Sequence, residues 1–393
     1  MKKLVVFIIL FLFMLFGAIG YFIYDDYKLK LDNTKFILKD TKIEVYEEYK
    51  LSSLFENFDG VLDDDYSICE QELGHKKYEF TYKYKNKPRK GYIEIDVVDL
   101  TKPIAILKDS YTVYVNSNDD ITSKIVTADN YDSDPKKEII GEYNLNSIGE
   151  YNVTYKVTDN SNNILEIPFT LYVKEKPKTT SSSSSYTSFE TIKNEHKNDS
   201  TKIGIDVSKW QGNINFNKLK NSGVEFMYIR VGTQNGFNAD SIVDQYFIQN
   251  IKGANENNID TGIYYYSYAT SKEEAHEQAL WVINQIKDYD VKLPIAFDWE
   301  SFSNFNGLKL SLHEFNEIAE EFMKTIKEAG YEASLYGSKN YLINIWKTNY
   351  PVWLAHYTTK TDYTGKYYMW QLCNNGKVNG INGYVDIDVL YNY

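Results

Sequence analysis

The sequence predicts a multidomain protein with an N-terminal transmembrane helix, two β-sandwich modules and a C-terminal irregular α/β barrel. Three observations predict it: a long apolar run at the N-terminus, a hairpin pattern that occurs twice, and a C-terminal half in which strands alternate with helices. A chain of 393 residues is long enough to form several hydrophobic cores. The predicted boundaries are 1–26 for the membrane anchor, 33–99 and 100–175 for the modules, 176–200 for a linker and 201–393 for the barrel.

The N-terminal segment predicts export and attachment to a membrane. Two lysines precede an apolar run over residues 4–24, which is long enough to cross a lipid bilayer as a helix, and Asp25 and Asp26 follow it. Basic residues before the run place the N-terminus inside the cell and the rest of the chain outside. Residues 17–20 could instead form a signal-peptide cleavage site. We therefore expect a single-pass membrane protein whose C-terminal bulk is extracellular, or a secreted protein.

Charge and cysteine content exclude several classes of protein. A formal net charge of −12 argues against nucleic acid as a partner. The two cysteines, Cys69 and Cys373, are far apart in the sequence, which indicates that the fold does not depend on a disulfide framework. Neither of the short Cys/His spacings typical of zinc sites occurs. The sequence therefore predicts no metal site and no cofactor.

The two β modules are predicted from a repeated hairpin pattern. Alternating strands over 78–84 and 92–98 flank a polar turn, and the same pattern recurs over 151–157 and 167–173. A hairpin at the end of each domain-sized unit predicts tandem β-sandwiches. Such modules either bind a ligand or act as spacers, and we favour spacers. The serine-rich stretch that follows is too polar to form a core, so it predicts a flexible linker.

The second module resembles the immunoglobulin-like domains of bacterial surface proteins. The matching segments are residues 99–104, the Ala-Asp-Asn-Tyr-Asp motif at 128–132, and residues 149–159. The first module lacks the Ala-Asp-Asn-Tyr-Asp motif, so its resemblance is weaker. The resemblance implies two immunoglobulin-like modules between the N-terminal segment and the barrel.

The barrel is predicted from eight candidate strands separated by helical stretches. The candidate strands are 203–207, 226–231, 262–268, 294–299, 332–336, 352–357, 367–371 and 385–389. Capping boxes at Ser271 and Ser311 each open an amphipathic helix. Strands that alternate with helices predict a parallel sheet, and eight of them predict a βα barrel. The connections between the last three strands are too short for full helices, so we expect an irregular barrel.

Acidic residues at the ends of three strands predict the active site, because catalytic residues of such barrels lie at the carboxyl ends of the strands. Asp206 ends the first strand and Asp386 lies on the eighth, which neighbours the first when the barrel closes. Asp298 and Glu300 end the fourth strand and point to the same side. Two adjacent acids cannot both ionise cheaply, so the pKa of one rises. This provides the proton donor and the carboxylate that glycoside hydrolysis requires.

From residue 202 to 393 the chain resembles glycoside hydrolase family 25, the muramidases that cut the glycan strands of bacterial cell walls. The resemblance rests on motifs in family order at residues 204–212, 226–232, 262–266, 296–300, 335–338, 353–357, 369–371 and 385–388. It implies a general acid/base role for Glu300, with Asp298 as its nucleophilic or stabilising partner. It also implies that Asp206 and Asp386 line the cleft, while Asp388 is expected to be structural.

The resemblance further implies aromatic substrate-binding positions and a reaction. The implied sugar platforms are Tyr264, Tyr266, Tyr336 and Trp370, although barrel core is an alternative for each. Tyr265 stands where many family members carry His. The implied reaction is cleavage, with retention, of the β-1,4 bond between N-acetylmuramic acid and N-acetylglucosamine in peptidoglycan. A non-catalytic wall-binding or adhesive protein, and a glycosidase that acts on another N-acetylated polymer, remain alternatives.

Overall fold

The computed structural model describes residues 2–177 and 185–391, and for 2–10, 26 and 27 it describes only the backbone. The chain divides into two compact units, residues 1–101 and 102–393. The predicted anchor lies on a helix, Lys2–Tyr27. Within the described part of the chain, no helix is both long enough and apolar enough to cross a membrane. The side chains of residues 4–10 of the predicted bilayer span lie outside the described residues, so the span stays a prediction.

The first unit is built from β-strands. Its strands are Lys30–Leu31, Phe36–Leu38, Lys42–Glu44, Tyr49–Lys50, Phe55–Phe58, Val61–Leu62, Ser67–Ile68, Gly74–Tyr84 and Lys87–Val98, with a 3-10 helix at Leu51–Leu54. The last two strands form the predicted antiparallel hairpin. Alternation along the hairpin buries Tyr82 and Ile95 on one face, as expected for a strand pair that covers a core.

The second unit begins with the second β module. Its strands are Ile104–Ile106, Ser110–Tyr114, Val126–Ala128, Lys136–Ile140, Gly149–Thr158 and Ile164–Lys174, with a 3-10 helix at Thr122–Lys124. Four of them form one sheet, and Ile104–Ile106 pairs with Val126–Ala128 in a separate two-stranded sheet. The predicted hairpin is present as Gly149–Thr158 paired with Ile164–Lys174. The immunoglobulin-like character of both modules remains a prediction.

The predicted C-terminal barrel is confirmed. Its strands, named here β1 to β8, are Thr201–Val207, Phe226–Gln234, Asp260–Tyr266, Ile295–Asp298, Ala333–Ser338, Val352–Ala355, Met369–Lys377 and Val385–Tyr391. Adjacent strands from β1 to β7 are parallel, and β8 closes the barrel between β7 and β1. The buried apolar residues of these strands form two clusters: a large one shared with the surrounding helices, called the barrel core here, and a smaller one that includes Phe226, Tyr228 and Trp353.

The direction of β8 corrects the prediction of an all-parallel sheet. Strand β8 runs antiparallel to both β1 and β7. The physical reason is the connection 378–384, which is shorter than the roughly dozen residues that a parallel crossover requires. As a result, the start of β8, rather than its end, lies at the barrel mouth formed by the carboxyl ends of the other strands.

The helical ring is incomplete, as the short connections predicted. The helices of this domain are Phe189–His196, Phe216–Asn221, Phe247–Glu256, Lys272–Ile286, Phe305–Leu308, Leu312–Glu328 and Lys339–Asn344, with 3-10 helices at Lys209–Gln211 and Phe302–Asn304. Ser271 and Ser311 each accept a hydrogen bond from the backbone N–H three residues later. The predicted capping box is complete at Ser311, whereas after Ser271 the Glu274 carboxylate accepts from the Thr270 N–H instead. No helix lies in the fully described connections between β6 and β7 or between β7 and β8.

The predicted linker over 176–200 is wrong for the C-terminal part of this stretch, which is attached to the barrel. Its residues 178–184 lie outside the described residues. Thr187–Ser188 pairs with β7, and the following helix buries Phe189 and Ile192 in the barrel core. These two apolar side chains, three positions apart on a short helix, attach residues 187–196 to the barrel.

The second β module packs directly on the barrel within the same unit. Ala128 is part of the barrel core, and Ile104, Ile106 and Val126 pack against it. The Asn306 side chain donates a hydrogen bond to the carbonyl of Ile125 at 2.8 Å and accepts one from the Thr127 N–H at 3.0 Å. Burial of this apolar face favours a fixed contact. The module is therefore held against the barrel. The sequence analysis favours a spacer and does not predict this contact.

Candidate active site

The four predicted acids come together at the open end of the barrel. Asp206 near the end of β1 lies directly opposite Asp386 at the start of β8 in the strand register. Asp298 ends β4, and Glu300 follows two residues later. All four line a cleft of about 300 Å³. The other residues that line this cleft are Ser208, Trp210, Gln211, Arg230, Tyr264, Tyr266, Tyr336, Trp353, Tyr357, Gln371 and Asn374.

Strand alternation sets the orientation of the Asp298 and Glu300 pair. Asp298 is buried, whereas Glu300 is exposed to solvent at the cleft. Trp299 between them is 1% exposed and points away from the cleft, into the core. Its indole N–H donates a hydrogen bond to the carbonyl of Ala269 at 3.1 Å. The buried tryptophan thus fixes the backbone that carries both acids.

The pKa values of this pair are raised, and the physical cause is mainly burial. Burial raises the pKa of Asp298 well above its usual value, and the neighbouring charge of Glu300 raises it further. Loss of hydration also raises the pKa of Glu300, while a hydrogen bond with Asp298 opposes that shift. The pair therefore retains a proton at a pH where an isolated carboxylic acid has lost it. Asp298, the more buried acid, holds this proton more strongly in the absence of substrate.

Asp206 is held by a hydrogen-bond network that the sequence reasoning missed. The side-chain amide of Gln371 donates to Asp206 Oδ2 at 2.7 Å. The carbonyl oxygen of the same side chain accepts from the hydroxyls of Tyr336 at 2.9 Å and Tyr357 at 3.0 Å. Burial, followed by the charge of Asp388, raises the pKa of Asp206 well above its usual value. The signal was available in the motif at 369–371, because alternation places Gln371 and Trp370 on opposite faces.

The two acids of β8 have different surroundings. Burial, followed by the charge of Asp206, raises the pKa of Asp386 to about 9. Asp388 is fully buried and does not line the cleft. Its Oδ1 accepts a hydrogen bond from the indole N–H of Trp353 at 2.9 Å. This position below the cleft agrees with the structural role expected for Asp388.

The predicted aromatic positions divide into three that line the cleft and one that does not. Tyr264, Tyr266 and Tyr336 line it. The prediction that Trp370 binds substrate in the cleft is wrong. Trp370 is 3% exposed, belongs to the barrel core and donates its indole N–H to the carbonyl of His356 at 2.9 Å. Because its neighbour Gln371 points into the cleft, Trp370 must point away from it.

Trp210 is a cleft residue that the predicted site omitted. It lies in the short 3-10 helix after β1, is 77% exposed and lines the cleft. The ammonium group of Lys209 lies 5.0 Å from its ring centroid. A largely exposed indole beside a polar cleft offers a flat apolar surface to a ligand. The motif at 204–212 contained this residue, but the motif alone did not indicate its exposure.

Arg230 supplies positive charge near the acids, but its charge is already paired. It lines the cleft and donates to Asp244 Oδ2 through Nε at 2.8 Å and through Nη2 at 2.6 Å. Arg230 lowers the pKa of Asp298 only in part, because burial and neighbouring carboxylates have the larger effects. The cleft therefore stays acidic, with protons retained on several of its carboxyl groups.

A closed barrel with protonated and ionised acids beside aromatic walls defines a site of the glycoside hydrolase class. Comparison with known families agrees with this: residues 205–381 match the family model described as glycosyl hydrolases family 25. The predicted enzyme class, a glycoside hydrolase of the lysozyme or muramidase type, is confirmed.

Two curated relatives and one solved structure illustrate the similarity. The uncharacterized protein YegX of Escherichia coli strain K12 is 29% identical over 196 residues, which cover 48% of this chain and 68% of that protein. The autolytic lysozyme of Clostridium acetobutylicum is 27% identical over 189 residues, covering 47% of this chain and 54% of that enzyme. A family 25 glycosyl hydrolase from Bacillus anthracis has a TM-score of 0.44 and 22% identity, covering 55% of this chain and 96% of that chain.

Proposed function

We propose that the barrel hydrolyses the β-1,4 bond between N-acetylmuramic acid and N-acetylglucosamine in peptidoglycan, with retention of anomeric configuration. The observation that carries the proposal is the Asp298 and Glu300 pair at the end of β4, in a cleft lined by aromatic side chains. The family 25 match over 205–381 and the similarity to an autolytic lysozyme support the substrate class. The proposed substrate is therefore the glycan of the bacterial cell wall.

Glu300 is the proton donor to the departing glycosidic oxygen. It is the exposed member of the pair, so a glycan in the cleft can reach its carboxyl group. Bound substrate displaces water from Glu300, which raises its pKa further and favours transfer of the shared proton from Asp298 to Glu300. Asp298 is then the carboxylate that stabilises the positive charge developing at the anomeric carbon, or attacks that carbon.

Asp206 and Asp386 act on the same step through charge and hydrogen bonding. They face each other across β1 and β8, and Gln371 fixes the orientation of Asp206. When Asp206 is ionised, its charge raises the pKa of Asp298 and so helps to keep a proton on the Asp298 and Glu300 pair. Tyr264, Tyr266 and Tyr336 provide walls against which sugar rings can pack. The four acids thus have different proposed roles in the cleavage of one glycosidic bond.

Analysis of the products tests this function. The full chain is incubated with purified peptidoglycan, and the soluble fragments are examined by mass spectrometry after borohydride reduction. We expect fragments that end in reduced N-acetylmuramic acid. Fragments that end in reduced N-acetylglucosamine would contradict the proposed bond, and soluble products from chitin but not from peptidoglycan would favour another polymer. Binding to sacculi without release of reducing ends would favour the non-catalytic alternative.

The proposed location is outside the cell membrane, with the two β modules as immunoglobulin-like spacers. The support is the sequence itself, in which two lysines precede the apolar run 4–24 and acidic residues follow it. Protease treatment of intact cells with a loosened wall tests this location. We expect the barrel to be degraded while a cytoplasmic marker stays intact. Protection of the barrel under these conditions would contradict the location.

A further inference from the structure

A second group of buried acids lies outside the cleft, in the loops of the second β module. Asp129 follows the strand Val126–Ala128 and is 0% exposed, Asp132 lies three residues later, and Asp159 follows the strand Gly149–Thr158. One carboxylate oxygen of Asp129 and one of Asp159 lie within 4.8 Å of each other. These residues belong to motifs that the proposed hydrolase function does not use.

One oxygen of this group has no hydrogen-bond partner although it is buried. Asp129 Oδ1 accepts hydrogen bonds from the backbone N–H groups of Tyr131 at 3.0 Å and Asp132 at 2.8 Å. Asp129 Oδ2 is buried and accepts no hydrogen bond. The side-chain oxygen of Asn130 is likewise buried without a partner. A buried charged oxygen without a partner is strongly unfavourable, so this arrangement requires a proton or a cation.

Two lysines of the described residues that pair with Asp134, in the same loop as Asp129, are already neutralised by that acid. The ammonium groups of Lys137 and Lys309 both pair with Asp134, at 3.1 Å and 3.3 Å. The group thus has the electrostatic character of a cation site, in which the ion supplies the charge that the protein lacks.

We propose that Asp129 and Asp159 bind a hard divalent cation of the Ca²⁺ type in the second β module. All the donors are oxygens, which hard cations prefer. Two oxygens on one Ca²⁺ ion lie at most about 5 Å apart, since each Ca–O distance is about 2.3–2.6 Å. Asp132 has a positioning role: its Oδ2 accepts from the Asn160 N–H at 3.0 Å and so ties the two loops together.

The site lies where the module contacts the barrel. The carbonyl oxygen of Asp129 accepts a hydrogen bond from the backbone N–H of Leu312 at 2.7 Å, at the start of the helix Leu312–Glu328. Just before Asp129 in the chain, Ile125 and Thr127 are hydrogen-bonded to Asn306 of the barrel. A bound cation therefore stabilises the loop through which the module is attached to the barrel, and its binding is measurable as thermal stability.

Calcium titration of the metal-stripped full chain tests the proposal. We expect saturable binding by calorimetry, with a Kd of about 10⁻⁴–10⁻³ M, the range of extracellular calcium modules. At saturation the Tm should rise by about 5 °C or more relative to the chain in EDTA. No saturable binding, or equal Tm values with Ca²⁺ and with EDTA, would overturn the proposal.

Two variants locate the site. Asp129→Asn keeps the shape of the side chain and removes its charge, so it should lower calcium affinity by about tenfold or more. In EDTA this variant should be at least as stable as the unmodified chain, because it removes a buried negative charge. Asp109→Asn is the matched control, since Asp109 is an exposed acid of the same module. A calcium response that Asp129→Asn leaves unchanged would place the ion elsewhere, for example in the acidic cleft, and would refute the assignment.

Discussion

Replacing Glu300 by glutamine removes nearly all wall-lytic activity while the protein stays folded. Glutamine has nearly the same shape as glutamate but cannot donate the proton that the leaving oxygen needs. General-acid catalysis of this kind contributes about 10²–10⁴-fold in rate, so kcat should fall by about that factor. The substitution should leave KM within a few-fold, because the lost interaction belongs to the transition state. Release of reducing ends from purified peptidoglycan measures the effect.

A matched substitution separates chemistry from folding. Glu256→Gln makes the same chemical change on an exposed helix position outside the cleft, so its activity should equal that of the unmodified enzyme. Both variants should have unchanged Tm values, since Glu300 and Glu256 are exposed. Clearing of cell walls by Glu300→Gln at the normal rate would remove Glu300 from the mechanism.

The acids of the cleft could be predicted from sequence because simple geometry determines their placement. Alternation along β4 places Asp298 and Glu300 on one side and Trp299 on the other, which is the arrangement observed. Closure of the barrel makes β8 a neighbour of β1, but Asp386 at the start of β8 lies beside Asp206 only because β8 runs antiparallel. Periodicity is a property of the sequence pattern and predicts the first result, whereas the second also depends on the direction of β8.

Features that depend on packing could not be predicted in the same way. A strand pattern does not indicate which face points inward, so alternation alone does not distinguish Trp370 from Gln371 as the cleft residue. The direction of β8 depends on the length of the connection before it, because a short connection cannot form the crossover of a parallel strand. The contact between the second module and the barrel depends on apolar side chains that look like ordinary module core in the sequence, such as Val126.

These packing contacts link the module to the catalytic strand through a short segment of chain. After Glu300 the chain forms the turns at Phe302–Asn304 and Phe305–Leu308. Asn306 in the second turn bonds to the β module, and Phe302 and Phe305 pack around Trp299. The segment that follows Glu300, the proposed proton donor, is therefore fixed on one side by the module and on the other by the barrel core. Trp299 packs in the barrel core and lies between Asp298 and Glu300 in the sequence.

Replacing Trp299 by alanine should lower the free energy of unfolding of the barrel by about 3–5 kcal/mol, the cost of a buried Trp-to-Ala change. The indole is 1% exposed. Its ring centroid lies 5.0 Å from the ring centroid of Phe302 and 4.7 Å from that of Phe315. Its removal leaves a cavity and an unpaired carbonyl at Ala269. Chemical denaturation followed by circular dichroism measures the loss. Activity should also fall, because Asp298 and Glu300 lose the side chain that fixes their backbone.

The exposed tryptophan of the cleft provides the control that makes this prediction specific. Trp210→Ala removes the same number of atoms from a side chain that is 77% exposed, so the free energy of unfolding should change by less than about 0.5 kcal/mol. Its effect should appear instead as a higher KM for glycan, because the exposed ring lies beside the cleft. Equal stability losses in the two variants would mean that Trp299 does not anchor the end of β4. A loss of stability is thus expected for the buried Trp299, and weaker glycan binding for the exposed Trp210. The two variants distinguish the structural role of the core from substrate binding in the cleft.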